Sequence, residues 1–217
     1  MSIRVLLVED HALVRSGVRS LLEESSQVKV VGEASDGRRA LELCEELKPE
    51  MVLTDIEMRE LNGIETSRQI HAAHPDIKVI VVSMYGEAQY VREALRAGAA
   101  GSVLKHDAFT ELLTAIRAVA AGKRYLSAQL ADVVVDDYVR GVDGKQAPSD
   151  LDKLSARERE ILQMVAEGHS STQIASTLHI SVRTVDAHRS SIMQKLSIHS
   201  IASLTKFAIA NGLTSLR

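Results

Sequence analysis

The chain contains 217 residues, of which 45% are hydrophobic and 25% charged, a composition typical of a soluble globular protein with one large or two small domains. Its single cysteine, Cys44, excludes an intramolecular disulfide and a cysteine-based zinc site. The first ten residues contain only a four-residue apolar run, and no longer run approaches the length of a membrane helix. We therefore expect no signal peptide, no membrane span and a cytoplasmic location.

The net charge of -3 is divided unevenly along the chain. Residues 151–217 contain eight Lys or Arg and five Asp or Glu, whereas residues 1–150 contain 18 and 24. The second part is therefore basic and the first part acidic, which predicts that only the second part binds a polyanion.

Residues 1–121 alternate short apolar runs with amphipathic stretches. Short runs rich in β-branched residues are typical of buried parallel strands. The pattern predicts an α/β fold, a doubly wound five-stranded parallel sheet with helices on both faces and a site at the carboxyl ends of the strands. The predicted strands are Ile3–Val8, Val28–Ala34, Met51–Thr54, Lys78–Ser83 and Ser102–Leu104, and the predicted helices lie near 11–24, 37–47, 63–73, 87–97 and 107–121.

A short helix and a linker are predicted after Gly122, which ends the fifth helix. The helix covers 127–139, and residues 140–150 combine Gly, Pro, Asp and Ser without apolar periodicity, as linkers do. We therefore predict three segments, at 1–121, 122–150 and 151–217.

The last segment is predicted to be a small all-α domain of four helices. Ser155 and Glu158 have the spacing of a capping box, and Ser181 precedes the third helix as a cap. The four helices are predicted over 155–167, 171–178, 182–196 and about 200–210.

Acidic side chains are predicted to meet at the carboxyl edge of the sheet. Glu9 and Asp10 follow the first strand, and Asp55 follows the third. Carboxylates packed together repel one another unless a cation joins them, so we predict a Mg2+ site to which a backbone carbonyl near Glu57 adds a ligand. Taken singly, Asp10 has a simpler interpretation as a helix cap and Asp55 as a loop carboxylate.

Ser83 and Lys105 end the fourth and fifth strands at the same edge. Together with Glu9, Asp10 and Asp55 they resemble the receiver domain of two-component response regulators, over residues 1–121. The resemblance implies a flavodoxin-like fold in which Asp55 accepts a phosphoryl group from a histidine kinase. It also implies that Glu9, Asp10, Asp55 and the carbonyl of Glu57 hold Mg2+, and that Ser83, Lys105 and Ser102 bind the phosphoryl group or respond to it.

Three residues depart from the usual receiver pattern. Arg59 stands where the family usually has Pro, Ser102 where it has Tyr or Phe, and His106 where it often has Pro. We expect phosphorylation itself to survive all three changes, which leave open how strongly it shifts the conformation. The departures keep open an alternative, a partner-controlled DNA-binding regulator in which phosphorylation is weakly coupled.

The helix predicted over 182–196 is amphipathic, and the short helix before it completes a helix-turn-helix, a corner that small helical bundles also form. The strings Leu154–Leu162 (LSAREREIL) and Ile180–Arg189 (ISVRTVDAHR) resemble the LuxR-type DNA-binding domain. With the first domain, they make the chain similar to NarL/FixJ-type response regulators. By position, the resemblance implies DNA contacts for Thr172, Arg183, Thr184, Asp186, Ala187, His188, Arg189, Ser190, Ser191 and Lys195.

The acidic residue Asp186 is unexpected on a DNA-binding face because it cannot bind phosphate. We expect it to accept a hydrogen bond from a cytosine amino group or to deter wrong sites. The small number of cations predicts modest intrinsic affinity, which a homodimer formed on phosphorylation would offset. Leu204 and Ile209 are candidates for such pairing, although core packing is the simpler interpretation.

These residues are compatible with two classes of function. The first is a phosphorylation-controlled transcription regulator, not a turnover enzyme, with a histidine kinase and double-stranded DNA as partners. The second is a small-molecule phosphatase or phosphotransferase that uses Asp55. Against the second, Glu57 stands where an acid-catalysing Asp is wanted, and no substrate cap is evident.

Overall fold

The computed structural model describes residues 2–84, 86–141 and 150–214. The chain divides into two compact units, Met1–Gly144 and Lys145–Arg217. The linker predicted over 140–150 lies almost wholly outside the described residues. Within the described ranges, no helix is long and apolar enough to cross a membrane.

The first unit is built on a parallel sheet. Its strands are β1 (Ile3–Val8), β2 (Val28–Ala34), β3 (Met51–Asp55), β4 (Lys78–Ser83), β5 (Gly101–Leu104) and β6 (Tyr125–Leu126). They are ordered β2-β1-β3-β4-β5-β6, and every pair is parallel. The predicted doubly wound α/β fold is therefore confirmed.

Among the described residues of this unit, six helices cover both faces of the sheet. Alternate strand residues point to opposite faces, so Val52 packs in a cluster with Ile70 and Leu53 packs in another with Ile116. Both faces are buried, which explains why the strands read as continuous apolar runs. The helices are α1 (Ala12–Glu23), α2 (Gly37–Leu47), α3 (Gly63–Ala73), α4 (Ala88–Arg96), α5 (Ala108–Ala120) and α6 (Ala128–Gly141).

The prediction of five strands is wrong by one. The backbone N–H of Tyr125 donates to the carbonyl of Ala100, and that of Ser127 to the carbonyl of Ser102, each at 3.1 Å, which adds β6 beside β5. A strand of two residues is too short to carry a period-2 pattern, so the sequence does not indicate it. The new strand leads into α6, whose Leu130 is fully buried against α4 and β5.

The second unit is helical, as predicted. After a 3-10 turn at Asp150–Lys153 it contains α7 (Ala156–Ala166), α8 (Ser171–Leu178), α9 (Val182–Leu196) and α10 (Ile201–Ala210). The capping box of Ser155 and Glu158 and the cap at Ser181 are confirmed. Leu204 lies in the core, 1% exposed, so the simpler interpretation of that residue is correct.

Candidate functional site

Three carboxylates meet where β1 and β3 end. Glu9 and Asp10 directly follow β1, and Asp55 is the last residue of β3, the neighbouring strand. One ligand atom from each of Glu9, Asp10, His11 and Asp55 lies within 4.8 Å of the others. The structure therefore brings together the three acidic residues singled out from the sequence.

Two of these carboxylates are removed from solvent. Glu9 and Asp55 are each only 4% exposed. Buried carboxylates lose the hydration that stabilises their charge, so they require positive charge or hydrogen-bond donors nearby. The edge of the sheet supplies one such charge.

Lys105, which follows β5, joins the buried carboxylates. Its Nζ lies 2.7 Å from Asp55 Oδ2 and 2.8 Å from Glu9 Oε2. Its backbone N–H donates to the carbonyl of Ser83 at 2.7 Å, which holds the end of β5 against the end of β4. One ammonium among three carboxylates leaves the cluster negative, and a divalent cation would neutralise this excess.

The pKa values of the cluster reflect its burial. Burial is the main reason why the pKa of Asp55 rises to about 6; the charge of Glu9 raises it further, while Lys105 and the N–H of Glu57 lower it. Burial lowers the pKa of Lys105, but Asp55 and Glu9 outweigh it, so this pKa lies above its ordinary value. An added cation would therefore stabilise the ionised form of Asp55.

His11 extends the cluster beyond the residues predicted from the sequence. Its Nδ1 lies 2.8 Å from Asp10 Oδ1 and 3.2 Å from Glu9 Oε1. It is also the N-cap residue of α1, so the alternative interpretation of Asp10 as the helix cap is wrong. The only sequence signal for His11 was its position directly after two acidic residues.

Arg15 fixes the loop that carries Glu9. Its Nη1 donates to the backbone carbonyl of Glu9 at 2.6 Å, and its Nε lies 3.1 Å from Glu33 Oε2 on β2. The sequence does not predict these contacts of Arg15, because they depend on where β2 lies.

The remaining candidates of the first unit lie at different levels of the sheet. Ser83 is the last residue of β4 and is 1% exposed. The N–H of Glu57 donates to the Asp55 carboxylate, so its backbone lies at the cluster. Ser102 pairs with Val81, one position below the level of Asp55, and lies within the sheet rather than at its edge.

The second group of candidates lies on α8 and α9. Most of the α9 residues predicted to face DNA are exposed, as expected for the second helix of a helix-turn-helix. The exposed candidates are Thr172, Arg183, Thr184, Asp186, Ala187, Ser190 and Lys195, and the half-buried ones are His188, Arg189 and Ser191.

Two of these candidates connect α9 to α7. Ser191 Oγ donates to Glu158 Oε1 at 2.7 Å, and Lys195 Nζ to Glu158 Oε2 at 2.6 Å. Burial raises the pKa of Glu158, but the hydrogen bonds from Lys195, Ser191 and Ser155 outweigh it and lower the pKa to about 2. Ser191 and Lys195 thus have a structural partner that the sequence did not indicate.

Two family models match the chain. One describes the response regulator receiver domain and covers residues 5–117, and the other describes bacterial regulatory proteins of the luxR family and covers residues 152–208. The two matches correspond to the two compact units.

Characterised proteins and solved structures with both units are similar to the chain. It is 38% identical over 211 residues to response regulator GacA of Pseudomonas aeruginosa, covering 97% of each chain. It is 36% identical over 211 residues to response regulator UvrY of Escherichia coli, covering 97% of this chain and 95% of that protein. A structure of RcsB from Salmonella enterica serovar Typhimurium, bound to promoter P1flhDC in the presence of phosphomimetic BeF3-, is 26% identical with a TM-score of 0.62, covering 99% of this chain and 100% of that chain.

Proposed function

Because the chain belongs to the family of two-component response regulators with a receiver domain and a LuxR-type DNA-binding domain, we propose that Asp55 is its phosphoacceptor and a histidine kinase its phosphodonor. The observation that carries this proposal is the buried Asp55 carboxylate, held at 2.7 Å from Lys105 beside Glu9 and Asp10. The receiver is assigned to 1–121, the short helix and linker to 122–150, and the DNA-binding domain to 151–217.

The donor set of the cluster fits Mg2+. Carboxylate oxygens are its preferred protein ligands, and one from each of Glu9, Asp10 and Asp55 lies within 4.8 Å of the others. These residues, with the backbone carbonyl of Glu57, would hold the ion. When bound, Mg2+ supplies positive charge that offsets the charge of the incoming phosphoryl group.

The residues of the chain supply the rest of the chemistry. An Asp55 carboxylate oxygen attacks phosphorus, so an O–P bond forms as the bond from phosphorus to the donor nitrogen of the kinase breaks. The nucleophile needs no general base, because a carboxylate with a pKa of about 6 is largely ionised at neutral pH. Lys105 Nζ lies close enough to Asp55 to donate to a phosphoryl oxygen bound there. Ser83 is the last residue of β4, the strand beside β5, and carries a hydroxyl group.

The basic unit is proposed to bind double-stranded DNA through α9 in the major groove. We propose that phosphorylation promotes a homodimer, which brings two such helices to paired half-sites. Supporting this, one related structure contains two RcsB dimers bound to two parallel DNAs. We further propose that the chain acts in the cytoplasm and is a regulator rather than a turnover enzyme.

Phosphorylation with a small donor tests the acceptor. Wild type, incubated with acetyl phosphate and Mg2+, is expected to gain acid-labile phosphate, whereas Asp55→Asn gains none. Asp76→Asn is the matched control, because Asp76 is exposed in the loop between α3 and β4. Equal labelling of Asp55→Asn and wild type would contradict the proposal.

Ser102 favours the second candidate, a regulator controlled by partners with weakened phosphorylation coupling. It is a small residue buried within the sheet at 2% exposure, and it offers no aromatic ring that could move with the phosphorylation state. In that case Asp55→Asn binds DNA as tightly as wild type, with or without phosphodonor. Tighter DNA binding of phosphorylated wild type, measured on a pool of genomic fragments, excludes this candidate.

A further inference from the structure

We propose that Asp186 limits the affinity of the protein for DNA by holding a carboxylate at the start of α8, where the backbone of DNA approaches. The inference rests on the proposed position of α9 in the major groove. It assigns Asp186 a role different from that of a residue that reads a base.

Asp186 is connected to α8 through one hydroxyl group. Ser171 Oγ donates to Asp186 Oδ1 at 2.8 Å and accepts from Arg189 Nη1 at 2.7 Å. Asp186 and Arg189 lie three residues apart on α9, so they project from the same side of that helix. The Ser171 hydroxyl thus links an acidic and a basic residue of α9 to the preceding helix.

The position of the Ser171 hydroxyl explains why the Asp186 carboxylate lies at the start of α8. Ser171 is the first residue of α8, directly after the N-cap Ser170, whose side chain accepts from the N–H of Gln173. The N-terminus of a helix carries partial positive charge, which stabilises a nearby carboxylate. Asp186, although exposed, therefore has a defined partner on α8.

The same location is where a helix-turn-helix contacts the phosphate backbone. The first helix of the motif crosses the DNA backbone, and helix N-termini are common donors to phosphate oxygens. A carboxylate already bound at the start of α8 repels such a phosphate. It also offsets the positive charge of Arg189, and Asp186 is the only acidic residue in the α9 sequence VRTVDAHRSSIMQKL.

A comparison of two single-charge variants tests the inference. Asp186→Asn keeps an oxygen that can accept the hydrogen bond from Ser171 and removes only the charge. Asp152→Asn removes the same charge from an exposed residue of the 3-10 turn. The full-length proteins are titrated against a random-sequence duplex and against duplexes selected from a random pool by wild type, at several salt concentrations, after matched unfolding midpoints have been verified.

The inference predicts that Asp186→Asn binds both duplexes about fivefold more tightly than wild type at low salt, with a gain that shrinks as salt screens the charge. Asp152→Asn is expected to change affinity less than twofold. An equal gain for Asp152→Asn overturns the inference in favour of net charge.

Two other outcomes contradict it in distinguishable ways. Weaker binding of Asp186→Asn to the selected duplex, with discrimination lost at one base pair, identifies a base-reading residue. If wild type selects no duplex from the random pool and does not bind the random-sequence duplex, the proposed DNA interface is overturned as well, whereas equal binding of wild type and Asp186→Asn overturns only the role of Asp186.

Discussion

Lys105 Nζ lies between Asp55 and Glu9, 2.7 Å from an oxygen of the first and 2.8 Å from an oxygen of the second. All three side chains are at most 13% exposed. The ammonium group therefore holds together two buried carboxylates that would otherwise repel one another. A divalent cation bound to the same carboxylates would share this role.

Replacing Lys105 by Met removes the charge and keeps most of the side-chain length. Leaving a buried charge without its partner costs about 3 kcal/mol, so we expect Lys105→Met to lower the free energy of unfolding by about that amount in chelator-treated buffer. Mg2+ should stabilise this variant more than wild type, because the ion replaces the missing positive charge. Urea unfolding with and without Mg2+ measures both effects, and equal stability of the two proteins would contradict the interpretation.

Asp55→Asn is expected to stabilise the metal-free protein at neutral pH. The folded-state pKa of about 6 lies above the ordinary value of 3.8, so the folded state disfavours ionised Asp55. Wild type therefore loses about 2–3 kcal/mol as the pH rises from 4 to above 6, and the variant does not.

The measurement is urea unfolding of both proteins in chelator at several pH values. The stability difference should be largest above the folded pKa and vanish below pH of about 4, where Asp55 is protonated in both states. Asp76→Asn serves as the control, since Asp76 is exposed. A stability difference that is independent of pH would contradict the role of burial at Asp55.

Much of the fold could be predicted from sequence periodicity, because the periodic elements are those that bury a face. The strands of the sheet interior and the caps at Ser155 and Ser181 follow from local patterns. The strand β6 could not, since two residues carry no period and its pairing with β5 depends on distant backbone. Tyr125 and Ser127 join the sheet through their backbone groups. Such pairing does not require a particular side-chain type, so the sequence does not indicate it.

The candidate site was predictable where topology fixes it. Asp55 ends β3, and Glu9 and Lys105 directly follow β1 and β5. The carboxyl ends of strands in a parallel sheet meet at one edge. Contacts that depend on side-chain direction were not predictable, such as Arg15 with the carbonyl of Glu9 or Ser171 with Asp186. In each contact, the separation of the two residues in the sequence corresponds to no helix or strand period.

Gly63 is expected to be essential for the position of Asp55. A Cβ at this residue would lie 1.8 Å from the backbone oxygen of Asp55, a contact that backbone atoms cannot relieve without moving the end of β3. We expect Gly63→Ala to destabilise the first unit by about 3 kcal/mol and to slow phosphorylation by acetyl phosphate. Gly86→Ala is the matched control, because its Cβ would meet nothing closer than 3.8 Å; equal behaviour of the two variants would contradict this prediction.

The contacts of Glu158 with α9 are expected to stabilise the second unit in a pH-dependent way. Its carboxylate is 5% exposed and lies 2.6 Å from Lys195 Nζ, and its pKa of about 2 lies below the ordinary value of 4.5. The resulting stability is fully present above the ordinary pKa and is lost as the pH falls toward 2. We expect Glu158→Gln to lower the free energy of unfolding by about 2 kcal/mol at pH near 7.

A double-mutant cycle with Lys195→Met isolates this contact. If the two side chains stabilise each other, the double variant should lose about 1 kcal/mol less than the sum of the single losses. That coupling should weaken as the pH falls toward the folded pKa of about 2, where half of Glu158 is protonated. Urea unfolding followed by the helical signal of the full chain provides the values, and strictly additive losses at neutral pH would show that Lys195 and Glu158 act independently.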